Sequence, residues 1–198
     1  HSPSVVQIER TFPGLIQVDA CFLSNPYASA EVMTRLHAIP AAQLERMVAH
    51  YPSQAPAIAA TLAPHLGVPA DCLHLANGAC EVIQALLNAV PGAVLVSLPT
   101  FSAYYEFARG PVLPHHLDAR QGFHLDLDAL EMMIARHRPQ TVVIINPNNP
   151  DGGLIPHGTL VDFVTRVHDR VRQIVVEESF NQFTTEAAPP SLARLVPD

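Results

Sequence analysis

Apolar stretches alternate with amphipathic stretches along the chain from about residue 72 onwards. Short apolar or β-branched runs, typical of strands buried on both faces of a sheet, occur at 72–77, 93–98, 112–118, 141–146 and 173–178. Apolar residues recur at helical spacing within 79–90, 127–134 and 157–172, and a further helix is predicted at 100–110. This alternation predicts an α/β fold in which helices cover a mostly parallel sheet on both faces.

The first 50 residues follow a different pattern. Residues 22–29 are predicted to be irregular, whereas 41–53 predicts a helix that ends at Tyr51–Pro52, because the residue before a proline is disfavoured in a helix. We therefore divide the chain into an N-terminal arm with a segment of a second domain, residues 1–50, and a larger domain, residues 51–198.

Composition narrows the range of partners. Apolar residues make up 48% of the 198 residues, which is enough for a sizeable core, and the formal charge of −7 argues against a nucleic-acid surface. No apolar run approaches the roughly 18 residues of a membrane span. The three cysteines, Cys21, Cys72 and Cys80, show neither a disulfide framework nor a metal-ligand spacing. We expect a cytoplasmic protein with no membrane partner and no metal site.

Lysine does not occur in the sequence, because all 11 Lys and Arg residues are arginines. No side-chain amine is therefore available in this chain to form a Schiff base with a carbonyl compound.

The stretch "TVVIINPNNPDGG", residues 141–153, joins a predicted buried strand to a turn rich in Asn, Pro and Gly. Ligands of open α/β sheets bind outside the carboxyl ends of the strands, so this turn is a candidate site. The same residues also form ordinary tight turns. The pattern alone leaves both interpretations open.

Seven features in order extend this signal over most of the chain. They are "SNPY" (24–27), "YPS" (51–53), "NGA" (77–79), "LPTFSAYYE" (98–106), "NPNNPDGG" (146–153), "VEESF" (176–180) and the spacing among them. In this order they resemble the class I/II aminotransferases, which are fold-type I pyridoxal 5'-phosphate enzymes, most nearly the branch of histidinol-phosphate aminotransferase and threonine-phosphate decarboxylase. The resemblance stops just before the position at which the family carries its cofactor lysine.

The resemblance implies a site for pyridoxal 5'-phosphate. The backbone amides of Ala79 and Cys80, at a predicted helix start, would bind its phosphate, and Phe101 would stack on its pyridine ring. Asn149 would donate its side-chain amide to the phenolic oxygen. Asp151 stands where the family usually has threonine, a change that we expect the turn to tolerate.

The acidic strand end departs further from the family pattern. Glu177 takes the place of the aspartate that holds the pyridine nitrogen protonated, and it is the candidate catalytic residue. Phe180 replaces a tyrosine, which removes one hydrogen bond to the phenolic oxygen.

The amino-terminal motifs imply contacts with a partner subunit and with substrate. Tyr51 matches the tyrosine that reaches the cofactor phosphate of a neighbouring subunit, so the resemblance implies a homodimer. Asn25 and Tyr27 match an arm that closes over substrate, although a surface turn explains them equally well.

Two functions remain open at this stage. One is an aminotransferase that acts on an amino acid or a phosphorylated amino alcohol, with a small-molecule amino donor and acceptor, or a decarboxylase of the same family. The other is a non-catalytic protein that binds the cofactor or dimerises. Either way, we expect the 198-residue chain alone to be inactive, because it lacks the lysine.

Overall fold

The computed structural model describes residues 4–18, 26–52, 54–185 and 190–196. Two compact units, His1–Pro52 and Ser53–Asp198, make up the chain. Within the described ranges, no helix combines the length and the apolar character needed to cross a membrane.

The described part of the first unit is helical. It contains α1 (Val5–Thr11), α2 (Pro26–His37) and α3 (Ala41–Ala49). Proline is favoured at the first helical position, because its fixed φ suits a helix and its missing amide has no intrahelical role there. Residues 26–29 are therefore the first turn of α2, and the prediction of irregular structure was wrong for them. The helix predicted before Tyr51–Pro52 is confirmed as α3.

A parallel sheet forms the centre of the second unit. Its strands are β1 (Val94–Leu98), β2 (Val112–His116), β3 (Thr141–Ile145) and β4 (Gln173–Glu177), arranged in the order β2-β1-β3-β4. Every pairing is parallel. Each of these strands was predicted, and the α/β fold class is confirmed.

Helices cover both faces of the sheet. The second unit contains α4 (Ala55–Leu66), α5 (Ala79–Ala89), α6 (Ala103–Glu106), α7 (Leu127–His137) and α8 (His157–Val167). One core lies between the sheet and α7 and α8, and includes Leu130, Ile134, Leu160, Phe163, Val142 and Ile144. The other lies between the sheet and α5 and α6, and includes Ile83, Leu87, Tyr104, Val143, Ile145 and Val175. We call the face of the second core the α5 face.

Three predicted elements differ from the observed ones. Residues 72–77 were predicted to be a strand, but the structure has a 3₁₀ turn at Ala70–Cys72 followed by irregular backbone. Leu73 is extended (φ −107°, ψ 122°), yet no described strand pairs with this segment, so the extended backbone forms no ladder. The helix predicted at 100–110 is only the single turn α6, and α8 ends at Val167, before a 3₁₀ turn at His168–Arg170.

Capping explains where α7 begins. The Asp126 carboxylate accepts hydrogen bonds from the amides of Asp128 and Ala129, both at 3.0 Å. Such a cap satisfies amide groups that have no acceptor within the helix. The Asp126 cap therefore fixes the first turn of α7.

One histidine on β2 lies in a half-buried environment. The Ser97 hydroxyl is 3.2 Å from Nδ1 of His115. Burial lowers the pKa of His115, the Asp126 carboxylate opposes this shift, and the neighbouring His116 adds to it. Burial is the largest of the three effects, so it favours the neutral imidazole.

Candidate functional site

The strand order reverses direction between β1 and β3. The chain passes from β1 outward to β2 and then returns across β1 to β3 and β4. At such a reversal, the connections leaving the carboxyl ends of the two central strands diverge and leave a crevice in which ligands of α/β proteins bind. The loops after β1 and β3 flank this point, and both had been identified in the sequence as candidate site segments.

A buried asparagine fixes the ends of the loop after β3. Asn146 is 6% exposed; its Oδ1 accepts from the amide of Ile155 at 2.7 Å, and its Nδ2 donates to the carbonyl of Ile155 at 3.1 Å. Its own amide donates to the Glu177 carbonyl at 2.9 Å. Asn146 therefore joins the two ends of its loop and ties the loop to β4.

A second asparagine connects the loops after β1 and β3. The Asn148 Nδ2 donates to the carbonyl of Pro99 at 3.1 Å, and its Oδ1 accepts from the Thr100 hydroxyl at 2.7 Å. Asp151 accepts from Asn148 Nδ2 and, at 2.7 Å, from the amide of Gly153. The carboxylate that replaces the family's threonine therefore has a role inside the turn. Sequence reasoning had missed the roles of Asn146 and Asn148, for which the only signal was an excess of asparagine.

The asparagine predicted to contact the cofactor lies between these fixed points. Asn149 is half-buried, and among the residues that the structure describes its side chain has no hydrogen-bond partner. Its neighbours hold the backbone on both sides, so its amide is positioned without being used internally. This arrangement is consistent with a group that is reserved for a ligand.

Glu177 is the last residue of β4 and lies at the carboxyl edge of the sheet. It pairs in register with Ile145, and side chains alternate between faces along a strand, so Glu177 lies on the α5 face with Val175. Its Oε2 is buried and has no hydrogen-bond partner in the described part of the chain. A buried carboxylate oxygen without a donor is costly, which makes this atom a candidate to accept a hydrogen bond from a ligand.

Tyr104, which the sequence analysis did not single out, lies beside this carboxylate. Tyr104 is 3% exposed and packs with Ile145 and Val175 on the α5 face. Burial, and then the negative charge and hydrogen bonding of Glu177, raise the pKa of the Tyr104 phenol. The phenol is therefore a neutral donor next to Glu177 at all ordinary pH values.

The predicted phosphate-binding amides begin α5. Gly78 precedes the helix with φ +88° and ψ 166°, a backbone conformation that favours glycine. Ala79 and Cys80 are exposed, and the first amides of a helix have no intrahelical acceptor. The Glu81 carboxylate accepts from the Asn77 amide at 2.8 Å, which holds the turn before the helix. Because α5 packs along β1 and leads into its amino end, the start of α5 lies toward the carboxyl edge of the sheet.

Phe101 lies on the same face as these groups. It is half-buried and packs against the core formed by α5, Tyr104 and β3. The structure therefore places Phe101, Glu177 and the start of α5 on one face of the sheet at its carboxyl edge. Asn149 lies in the loop at that edge. The roles given to these residues remain predictions.

The amino-terminal candidates belong to the other compact unit. Tyr51 is 100% exposed and Tyr27 is 86% exposed. Asn25 lies outside the described residues. The partner-subunit role of Tyr51 and the substrate roles of Asn25 and Tyr27 remain predictions.

A second concavity lies where Thr100, Asn148 and Asp151 meet apolar residues, among them Ile144 and Ile155 of the core on the other face. The side chains of Thr100, Asn148 and Asp151 are already bonded to one another. We therefore place the candidate site on the α5 face, where Glu177 has an oxygen without a partner.

Comparison with known proteins identifies the family and several relatives of the chain. The family described as aminotransferase class I and II matches residues 21–196. An L-serine phosphate decarboxylase of Campylobacter jejuni is 38% identical over 192 residues, covering 94% of this chain and 49% of that protein. A histidinol-phosphate aminotransferase of Burkholderia mallei is 32% identical, covering 91% of this chain and 51% of that protein.

A solved structure gives the same result for the fold. A decarboxylase from Sulfurospirillum multivorans superposes with a TM-score of 0.86 at 35% identity, covering 100% of this chain and 52% of that one. The chain thus spans about half the length of the curated relatives it matches. Pyridoxal 5'-phosphate is the cofactor of this family, as the sequence motifs had indicated. The chain belongs to the class I and II aminotransferase family.

Proposed function

We propose that the protein contributes a pyridoxal 5'-phosphate site to an enzyme that acts on a phosphorylated amino acid, with decarboxylation of L-serine phosphate as the favoured reaction. The observation that supports the cofactor site is the buried, unpartnered Oε2 of Glu177 at the carboxyl edge of the sheet. A protonated pyridine nitrogen is a cationic donor of the kind that such an oxygen requires.

The residues present fit the cofactor at each of its polar ends. The amides of Ala79 and Cys80 would bind the phosphate at the start of α5, where the helix dipole favours an anion. Glu177 would accept a hydrogen bond from the ring nitrogen, and Asn149 would donate one to the phenolic oxygen. Phe101 would contact the face of the ring.

When bound, the cofactor supplies an electron-withdrawing ring that stabilises negative charge at the α-carbon of an amino acid. The negative charge of Glu177 would favour the protonated form of the ring nitrogen. Phe180 offers no hydroxyl, so Asn149 would be the single side-chain donor to the phenolic oxygen among the candidate site residues that the structure describes. Because the chain has no lysine, its own contacts with the cofactor are non-covalent.

Decarboxylation is favoured over transamination by the relatives. The L-serine phosphate decarboxylase of Campylobacter jejuni shares 38% identity with this chain, against 32% for the histidinol-phosphate aminotransferase of Burkholderia mallei. Transamination of a phosphorylated substrate is the second candidate. Both names describe substrates that carry a phosphate.

We also propose a homodimer, in which Tyr51 would reach the cofactor phosphate of the partner subunit. The fully exposed Tyr51 side chain is available for such a contact. Sedimentation of the purified protein with and without the cofactor tests this assembly; a monomer under both conditions would contradict it.

Two measurements test the proposed function. The first is titration of the 198-residue chain with pyridoxamine 5'-phosphate, an amine form of the cofactor that needs no lysine. Saturable binding that Glu177→Gln weakens about tenfold supports the site, since a charge-assisted hydrogen bond contributes about 1.5–3 kcal/mol and part of it survives with glutamine. Binding of parent and variant with equal affinity would refute the role of Glu177.

The second measurement identifies the reaction. The protein is purified from the organism that encodes it, its intact mass is determined, and it is incubated with O-phospho-L-serine and pyridoxal 5'-phosphate. Release of CO₂ without an added keto acid supports decarboxylation. Keto-acid-dependent loss of the amino group supports transamination, and neither product from a preparation that binds the cofactor supports the non-catalytic alternative.

A further inference from the structure

The proposed role of Glu177 requires its carboxylate to be held in one orientation, so a group that holds it must lie nearby. Glutamate is one methylene longer than aspartate and has one more rotatable bond, so its carboxylate has more positions to choose from. A carboxylate that serves a ring nitrogen must be held in one of them. A second group near Glu177 is therefore needed to fix its orientation.

Tyr104 has the required position. Its side chain is buried between α6 and the sheet and packs with Ile145 and Val175. Glu177 pairs with Ile145 across the sheet and follows Val175 on the same face. The phenol thus packs against the face of the sheet on which the carboxylate lies. Burial, and then the charge and hydrogen bonding of Glu177, raise the pKa of Tyr104.

The two carboxylate oxygens of Glu177 can accept hydrogen bonds from different partners. One of its oxygens, Oε2, is buried without a partner. A neutral phenol donates a single hydrogen bond and can satisfy only one carboxylate oxygen. A phenol that donated to the other oxygen of the carboxylate would therefore leave Oε2 for the ligand.

We propose that Tyr104 is a positioning residue: it holds the Glu177 carboxylate so that Oε2 faces the ring nitrogen of the bound cofactor. This inference rests on the proposed function, and it concerns a residue that does not itself touch the cofactor. Tyr105 is the neighbouring tyrosine, 38% exposed, and is a matched control.

The first test needs no cofactor. The sequence contains four tyrosines, so a chain labelled with ¹³C at tyrosine Cζ gives four resonances that single Tyr→Phe variants can assign. Glu177→Gln should shift the Tyr104 resonance and leave that of Tyr51 in place. Glu178→Gln is the control, because the Glu178 carboxylate accepts instead from the Ser191 hydroxyl at 2.5 Å and the Leu192 amide at 3.0 Å. An unmoved Tyr104 resonance in Glu177→Gln would overturn the contact.

The second test is a double-mutant cycle on the affinity for pyridoxamine 5'-phosphate. Loss of one hydrogen bond predicts that Tyr104→Phe weakens binding about threefold to tenfold, whereas Tyr105→Phe leaves it unchanged. In the Glu177→Gln background, Tyr104→Phe should change affinity by less than about twofold, because the two residues act through one interaction.

The outcomes separate the two proposals. Equal effects of Tyr104→Phe in both backgrounds would overturn the positioning role while leaving the cofactor site intact. A chain that does not bind pyridoxamine 5'-phosphate at all would overturn the proposed function and the cofactor role of Tyr104, while the Cζ resonance still decides whether Tyr104 contacts Glu177. Tyr104→Phe removes only a hydroxyl, and a urea midpoint close to that of the parent shows that the variant is folded.

Discussion

Asn146→Ala should destabilise the second unit far more than a typical loop substitution. Asn146 is 6% exposed and Ile155 is 7% exposed, and the two are joined by hydrogen bonds to both backbone polar groups of Ile155. Alanine would leave that amide and that carbonyl buried without partners. Each such group costs about 1–3 kcal/mol, so we expect a loss of about 3 kcal/mol in the free energy of unfolding.

Urea denaturation followed by circular dichroism measures this change. With a slope of about 2–3 kcal/mol per molar urea, the midpoint should fall by roughly 1–1.5 M while the slope stays the same. Asn88→Ala is the control, because Asn88 is exposed and accepts one hydrogen bond from Arg109 Nε at 2.8 Å. Its midpoint should move little, since exposed hydrogen bonds can be replaced by water.

Hydrogen exchange locates the effect within the chain. The Ile155 amide donates to Asn146 Oδ1 at 2.7 Å and should be protected in the parent protein but not in the Asn146→Ala variant. Equal midpoints for Asn146→Ala and Asn88→Ala, together with unchanged protection of Ile155, would refute the reasoning.

Two further predictions concern packing and pH. A Cβ at Gly110 would collide with the backbone carbonyl of Gly92, so Gly110→Ala should cost about 1–3 kcal/mol in a urea titration. Gly158→Ala, in α8 with nothing near the added carbon, should stabilise by up to about 1 kcal/mol; a loss at Gly158 equal to that at Gly110 would contradict this. For His115 the pKa is lowered in the folded state, so the unfolded chain binds more protons and stability is lost as the pH falls below about 6.5. His115→Gln should therefore lose less stability than the parent between pH 7.5 and 5.0, whereas the exposed His116→Gln should follow the parent.

The sheet was predictable from the sequence because its two central strands, β1 and β3, are apolar on both faces. β3 is buried at all five positions, and a run such as "TVVII" has few alternatives to a central parallel strand. The same reasoning was wrong for residues 72–77, where apolar residues are present but no described strand lies alongside. Strand formation depends on a partner, and local composition does not reveal one.

The strand order and the hydrogen-bonded loops were not predictable. The reversal between β1 and β3 depends on which side each crossover takes, and the sequence pattern contains no information on this. The link between Asn148 and Thr100 joins residues 48 positions apart. Tyr104 was missed for a related reason: an aromatic residue in an apolar stretch resembles an ordinary core residue until its neighbour on the sheet is known.

Two departures from the family pattern affect the same end of the site. Under the proposed function, Phe180 would offer no hydroxyl to the cofactor's phenolic oxygen, and Asn149 would be the single side-chain donor to it among the candidate site residues that the structure describes. Asp151, the other departure, accepts hydrogen bonds from the Asn148 side chain and from the amide of Gly153. Asn148 precedes Asn149 in the turn and Gly153 follows it. The precision with which Asn149 is held then matters more than it would beside a second donor. A carboxylate at position 151 contributes to that precision, because it forms charge-assisted hydrogen bonds across the turn where a threonine hydroxyl would form neutral ones.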